Sequence, residues 1–589
     1  MLSDIIAIDL GSNNMSISTH IKDFFSNIPI HFNIVNNKIT LNTDAYKQYS
    51  DTILTNYKFL LNINYDDIPS ITYESSSNLS QFIAYTTHKN YTIEKIYQVL
   101  IETSKSIINN IESVSEIIFT VSVNLNLKYR RILYDSALHL GFSNISFINI
   151  TNACAYAYYG LYRKIITNHN ILVIDLGAIE FNASIINNNN NELTVRASYG
   201  DLSSGYKINW CIIKYIIDTI NSQSNKNIEL NNELIYNLFL LADDAKKILN
   251  TTEVTVIKDI NNILKQQSDQ SSIHIELTRE VFNNLCSDIY KKIITVLDNL
   301  LHTAKLNKEE IDDIILVGGN SNIIKFKQII SGYFNKDLFL SMTKHDILKG
   351  ALLYKQNNLF KLHDITNFII GIKSTQPNNN IINTIIPKYT QIPYTIDYIF
   401  NDKIDSSIKI IESYTENIED SIVVDTIDIT PYTKYGSIVQ TPNNISNLII
   451  SFMIDSNCIL HFSDTKTYEN LLILKLNDIK NRVKTLNNKN LVLDKILDIN
   501  LWMQYNINIT SQEYITQITN IESCYINNIE NSSSEENITV ETPSKYNNIP
   551  IINTENNLVN LFKCNLNVSD IQNDCQLSDS SDIDINLKE

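Results

Sequence analysis

The chain has 589 residues, 43% hydrophobic and 19% charged, with a net charge of -17, a length that exceeds what one hydrophobic core supports and implies several domains. The negative balance excludes a general nucleic-acid binder, because such proteins neutralise phosphates with Lys and Arg. No apolar run of about 18 residues occurs, which excludes a membrane-spanning helix, and the 7 scattered cysteines, never in a Cys-x-x-Cys pair, exclude a disulfide scaffold or a zinc site.

In chain order, Ile5-Ile6-Ala7-Ile8 predicts a short buried strand that ends at Asp9-Leu10-Gly11. No basic region or cleavage site of an export signal precedes it, so a reducing, cytoplasmic setting is expected. The same unit recurs at Ile171 to Ile174, followed by Asp175-Leu176-Gly177. A duplicated apolar strand with a carboxylate at its end and a turn behind it predicts two similar α/β lobes facing one cleft, with phosphate and metal in that cleft. Gly11 and Gly177 would let backbone amides approach phosphate oxygens. The spacing from Leu277 to Leu300 predicts a helix with Thr278 as its N-cap and Val281, Leu285, Ile289, Ile293, Val296 and Leu300 on one face. A third strand-turn unit, Ile314 to Val317 before Gly318-Gly319, leads into a helix from Ile323 to Ile330. Residues 1–357 therefore read as α/β, and 358–364 as an interdomain linker.

Beyond the linker, residues 365–466 alternate with period two in short segments, at Ser407 to Ile411, Ile422 to Ile429 and Leu448 to Ile454, with Asp455-Ser456-Asn457 as a hairpin turn. These predict a small antiparallel β domain. Helical spacing returns over 467–530 through Leu471, Leu474, Ile479, Val483, Ile496, Leu501 and Trp502. Residues 531–589, rich in Asn, Ser and acids, contain too few apolar residues to offset ordering and are expected to be a disordered acidic tail, with a docking helix at 558–566.

Taken as a series, several segments resemble the heat-shock seventy (DnaK-type) chaperone family. They are Ile8 to Asn14, Tyr57-Lys58-Phe59-Leu60 with Tyr65 to Pro69, Val121 to Gly141 with Arg130, Asp175 to Ser184, Ala245 to Leu249, Gly318-Gly319 and Phe452 to Leu460. The resemblance implies a multidomain fold: an actin-like α/β nucleotide-binding domain, a linker, an antiparallel β-sandwich that clamps an extended apolar peptide, and a helical lid, shortened here. It implies ATP/ADP and Mg2+ as cofactors, unfolded polypeptides as partners, and J-domain proteins, nucleotide exchange factors or another heat-shock-70 chaperone as further ones.

Residue by residue, Asp9 and Asp175 match the family's metal-holding aspartates, and Gly11, Ser12, Asn13 and Gly177 its phosphate turns. Lys58 matches the catalytic lysine that faces the terminal phosphate and the attacking water. Asp243, Lys246, Lys247, Gly318 and Gly319 match the adenosine clamp, with Lys247 and Asn322 where the family has arginines able to stack on adenine. Ile382, Phe400 and Ile408 fall at the peptide cleft, although ordinary core positions fit them equally.

Departures cluster at the phosphate site. Asn149-Ile150-Thr151 stands where the family has Asn-Glu-Pro, and Gly177-Ala178-Ile179-Glu180-Phe181-Asn182 where it has a bare glycine turn, Thr, Phe and Asp. Ala178 and Ile179 are expected to crowd the turn, Glu180 to place an anion near the terminal phosphate, and Ser122 replaces a proline linked to interdomain coupling. An ATPase by resemblance, the chain thus lacks key hydrolytic residues. The expected function is an ATP-binding chaperone with weak or lost hydrolysis, and the alternative is a non-catalytic cochaperone or regulator.

Overall fold

A computed structural model describes residues 5–19, 24–35, 38–41, 53–54, 58, 93–108, 116–142, 144–162, 167–201, 204–224, 228, 230–258, 260–264, 273–337, 340–356, 360–373, 382–400, 407–418, 421–428, 439–440, 446–464, 476, 479–480, 489–505, 516–517, 520–521 and 524. The chain divides into two compact units, Met1–Asn367 and Phe368–Glu589.

The first unit opens with β1 (Ile5–Leu10), β2 (Asn14–Thr19) and β3 (Phe24–Pro29), followed by a small sheet of β4 (Phe32–Val35), β5 (Lys38–Leu41) and β6 (Ile53–Leu54). Next come α1 (Ile93–Ile107), β7 (Glu116–Val121), α2 (Leu127–His139), β8 (Asn144–Asn149) and α3 (Ile150–Ala157). A second set follows: β9 (His169–Leu176), β10 (Phe181–Asn189), β11 (Glu192–Asp201), α4 (Gly205–Ser224), α5 (Asn232–Ile248), β12 (Val254–Val256), α6 (Ile260–Leu264) and β13 (Glu276–Thr278). The unit closes with α7 (Arg279–Leu285), α8 (Ser287–Ala304), β14 (Asp313–Val317), α9 (Ile324–Phe334), β15 (Leu340–Ser341), α10 (Lys344–Gln356) and β16 (Lys361–Ile365).

Two sheets share one plan. The first runs β3-β2-β1-β7-β8, and within this unit the second runs β16-β11-β10-β9-β14-β15. In each, a three-stranded antiparallel meander puts its first strand beside a parallel strand from later in the chain, β1 beside β7 and β9 beside β14. That arrangement places both Asp-Leu-Gly turns at equivalent strand ends. Parallel strands in such sheets are covered on both faces and so read as unbroken apolar runs, as β1 does with all six residues buried.

One core cluster joins Ile5, Ala7 and Ile118 of the first sheet to Ile171, Val173 and Ile315 of the second through α3 and α10. The other face of the second sheet buries α4, α5, α8 and α9, with Trp210, Phe282, Tyr290 and Phe326 among the larger side chains.

Local signals act as their chemistry dictates. The Thr278 hydroxyl accepts the Val281 N–H at 3.2 Å and caps α7. The single helix expected from this cap is instead two, because the backbone at Cys286 (φ -92°, ψ 6°) leaves the helical region between α7 and α8.

The segment expected as a linker takes a different form. Residues 361–365 are β16, which adds to β11 in parallel with Glu192 opposite Lys361. Phe360 packs against Tyr156 and Tyr159, with ring centroids 5.7 and 6.0 Å away, and the Asn149 amide donates to Asp364 at 3.0 Å. An apolar anchor and the edge of β11 thus draw residues 360–364 of the expected tether into the first unit.

In the second unit, β17 (Ile369–Lys373), β18 (Ile382–Ile386), β19 (Gln391–Ile392), β20 (Tyr394–Phe400), β21 (Ser407–Ser413), β22 (Ile422–Asp428), β23 (Val439–Gln440), β24 (Ser446–Ile454) and β25 (Leu460–Asp464) precede α11 (Lys489–Tyr505). Two antiparallel sheets result, β18-β17-β21-β22, and β20-β24-β23 with β25 on β24. The expected hairpin at Asp455 is present: its carboxylate accepts the Asn457 and Ile459 amides at 2.9 and 2.8 Å and meets His461 at 3.1 Å. Within 467–530, α11 buries Val492, Ile496 and Ile499 on one face and contains Leu501 and Trp502. Tyr65 to Pro69 and the tail 531–589 lie outside the described residues.

Candidate functional site

A cavity of about 430 Å³ opens in the first unit. Asp9, Gly11, Ser12, Asn13, Lys58, Asp175, Gly177, Asp243, Lys246, Lys247, Gly318 and Gly319, the twelve residues singled out for nucleotide and metal, all line it. They arrive from separate elements: the end of β1 and the β1–β2 turn, Lys58 beyond β6, the end of β9 and the β9–β10 turn, the last turns of α5 and the turn after β14.

Gly318 has φ +89°, and a Cβ there would lie 2.3 Å from the Leu176 carbonyl oxygen, so the turn admits only glycine. Asn320 holds the neighbouring turn by donating its amide to the Gly177 oxygen at 2.6 Å. On α5, Asp243 receives Lys246 at 2.9 Å and Lys247 at 2.6 Å. Burial pushes the Asp243 carboxyl up, but the two lysines outweigh this and hold it down at about 2.

The second turn corrects the expectation of crowding. Ile179 is fully buried in the core with Leu176, Phe181 and Tyr206, facing away from the cavity, and only Ala178 and Glu180 of the substituted turn line it. The Gly177 amide is engaged within the turn, donating to the Glu180 carbonyl oxygen at 2.9 Å. Glu180 forms an ion pair with Lys58, both side chains mostly buried. Ile150, 7% exposed, gives the wall an apolar surface where the family resemblance calls for a carboxylate.

Asp9 and Asp175 occupy contrasting environments. Burial raises the Asp9 carboxyl, but Lys344 and Lys58 reverse this, assisted by hydrogen bonds from Lys344 at 3.0 Å and Thr120 at 2.9 Å, so that it titrates below the ordinary carboxylate range. Among the described residues Asp175 has no ammonium in hydrogen-bond contact, and the Lys344 charge lowers it only weakly. Burial, with Asp9 and Glu180 nearby, carries it up to about 7 against the Asn182 amide at 3.0 Å. The Asn182 oxygen in turn accepts Ser122 Oγ at 2.7 Å and the Val123 N–H at 3.2 Å, fastening the second turn to the loop after β7.

The donor set does not fit the magnesium ion that the resemblance assigns to Asp9 and Asp175. Both Asp9 oxygens already hold donors, one of them an ammonium. Magnesium beside phosphates relies on one or two carboxylates and its own waters, and at Asp9 an ammonium stands in their place.

Lys344 was not singled out by its sequence context. The signal is there: Thr343 and Asp346 form a reciprocal cap, with the Thr343 amide donating to Asp346 at 2.7 Å and the Asp346 amide to the Thr343 hydroxyl at 3.3 Å. This puts a cation in the first turn of α10, where the helix dipole disfavours it, and so points to an anionic partner. Phe239, Tyr236, Asn209 and His31 also line the cavity, with no local pattern to distinguish them.

The three peptide-cleft candidates lie on separate strands, β18, β20 and β21. Ile382 packs with Ile369, Ile411 and Ile418; Ile408 is 3% exposed, opposite Ile427 in the β21–β22 register; the Phe400 backbone ends β20 opposite Leu448. Ile382 and Ile408 are core residues in this structure.

Comparison with known proteins extends these findings. The family model described as "Hsp70 protein" matches residues 52–541. A "Heat shock 70 kDa protein" of Emericella nidulans is 24% identical over 395 residues, 64% of this chain and 59% of that protein. Its counterpart in Neurospora crassa is 24% identical over 62% of this chain and 57% of its own length. "Chaperone protein DnaK" of Mycoplasmopsis agalactiae is 24% identical over 77% of this chain and 75% of its own length. The chain thus spans under two thirds of the length of the two fungal relatives.

Proposed function

The chain belongs to the Hsp70 family, and on that premise we propose that it is a nucleotide-binding chaperone that holds ATP or ADP in the 430 Å³ cavity and hydrolyses ATP very slowly or not at all. The observation that carries the reading is the Lys58–Glu180 ion pair. The lysine assigned to the terminal phosphate already has an anion of its own, and Ile150 supplies no carboxylate to orient water. Loss of a general base costs roughly 100- to 10,000-fold in rate.

Binding and hydrolysis draw on different parts of the site. Gly11, Ser12 and Asn13 approach phosphate, Asp243, Lys246 and Lys247 with Gly318 and Gly319 take the nucleoside, and Phe239 adds an aromatic surface. None of these needs to move a proton. Residues 365–530 are assigned to client binding by the family's organisation.

The same ion pair favours a second reading, a non-catalytic cochaperone or regulator in which nucleotide serves stability and another Hsp70 chaperone is the partner. Single-turnover hydrolysis of bound ATP, with and without a J-domain protein, tests both. No burst and no J-domain stimulation is the expected result for the regulator. Stimulated turnover supports a cycling chaperone and sinks the regulator, and a rate typical of an active ATPase sinks the proposed loss of hydrolysis.

A further inference from the structure

Lys344 Nζ lies 3.0 Å from Asp9 Oδ2, at the carboxylate where the family resemblance places a divalent cation. Asp9 is all but buried, whereas the Lys344 side chain is one-third exposed at the cavity wall (33%). The other Asp9 oxygen accepts the Thr120 hydroxyl at 2.9 Å. Two features of the backbone make the ammonium's position specific. It sits in the first turn of α10, fixed by the Thr343–Asp346 cap. It also lies over the first phosphate turn, where a Cβ on Gly11 would come within 2.7 Å of Nζ. A bare glycine therefore leaves the room that the lysine head group fills.

An ammonium is a compact charge with three donors, so the group that holds Asp9 also has donors to offer a phosphate oxygen. A divalent cation there would face a fixed positive charge and a carboxylate with no unengaged oxygen. We infer that Lys344 takes the place of the divalent cation at Asp9, so that the cleft binds a nucleoside di- or triphosphate without magnesium. The inference rests on the nucleotide reading of the cavity.

Calorimetric titration of the full chain with ADP and with ATP, each in excess EDTA and in excess magnesium, tests it. Exchanging the two buffers is expected to change Kd by less than about threefold, and a loss above about tenfold in EDTA would overturn the inference. Lys344→Met is expected to weaken binding by about tenfold in EDTA and to gain magnesium dependence, while Lys344→Arg keeps the metal independence. Wild-type affinity of Lys344→Met in EDTA would equally overturn it. Should Lys344→Met fail to fold, Lys344→Gln replaces it. A manganese titration of the nucleotide-free protein, read by electron paramagnetic resonance, judges the site without nucleotide. No saturable site is expected, and one that disappears in Asp9→Asn would contradict the inference. Absence of nucleotide binding in both buffers removes the nucleotide reading, and the manganese result then decides the role of Lys344 alone.

Discussion

Lys58 and Glu180 stand 122 positions apart in the chain and meet as an ion pair on the wall of the cavity. Glu180→Thr leaves that ammonium without its internal anion and removes a negative charge from the phosphate side. The expected outcome is a rise of about tenfold in affinity for ATP relative to ADP, read by competition calorimetry. An unchanged ATP-to-ADP ratio would mean that Glu180 does not compete with the terminal phosphate.

Titration at the neighbouring carboxylates has opposite signs. The folded-state value of Asp175, about 7 against an ordinary 3.8, means that the folded protein retains a proton the unfolded chain releases. Its effect on stability is therefore most favourable below about pH 4, declines up to about pH 7 and is level above. Asp243, held down at about 2, contributes stability that is full above about pH 4 and is lost as pH falls towards 2. Urea midpoints measured against pH should show Asp175→Asn removing a decline between about pH 4 and 7. A slope unaffected by the substitution would refute the assignment.

Among the elements, β16 gives the clearest case of tertiary context overriding local sequence. Its residues 361–365 carry no long apolar run, and the same stretch serves as a tether in the sequence reading, yet β11 offers a parallel edge and Phe360 an anchor between tyrosines. Phe360→Ala should cost about 3–5 kcal/mol, the range for emptying a buried aromatic site. The measurement is the denaturant midpoint of the full chain's first-unit transition, and a change under about 1 kcal/mol would argue that the strand is peripheral. The α7–α8 break is similar in kind: apolar spacing continues through Cys286, so periodicity reports one helix, while the backbone angles there make two. By contrast, β1, β9 and β14, the Thr278 cap and the Asp455 hairpin were legible because each depends on residues within a few positions of one another.

At the scale of the whole molecule, the cavity lies wholly in Met1–Asn367, and Phe368–Glu589 forms a separate compact unit. Nucleotide should therefore stabilise one unfolding transition and leave the other. At a free ADP concentration of about 100 times Kd, the first-unit transition is expected to gain about 2.7 kcal/mol. Calorimetric scans with and without ADP measure this, and equal shifts in both transitions would contradict it.

What the sequence by itself determined is the repeated strand, carboxylate and turn, the family, and twelve of the residues that line the cavity. Those features are local or serial: a strand end, a glycine turn and a helix face each occupy a few consecutive residues, and their order along the chain is preserved in the fold. Only the tertiary structure decided which charges satisfy one another. Asp9 and Lys344 are 335 positions apart, and no period or spacing encodes such a pairing. It exists because two sheets of the same plan bring their turns to one cavity and α10 delivers its first residue there. Burial then makes each contact consequential, since a desolvated carboxylate is stable only beside a cation or a proton: Asp9 has the cation, and Asp175 has the raised pKa.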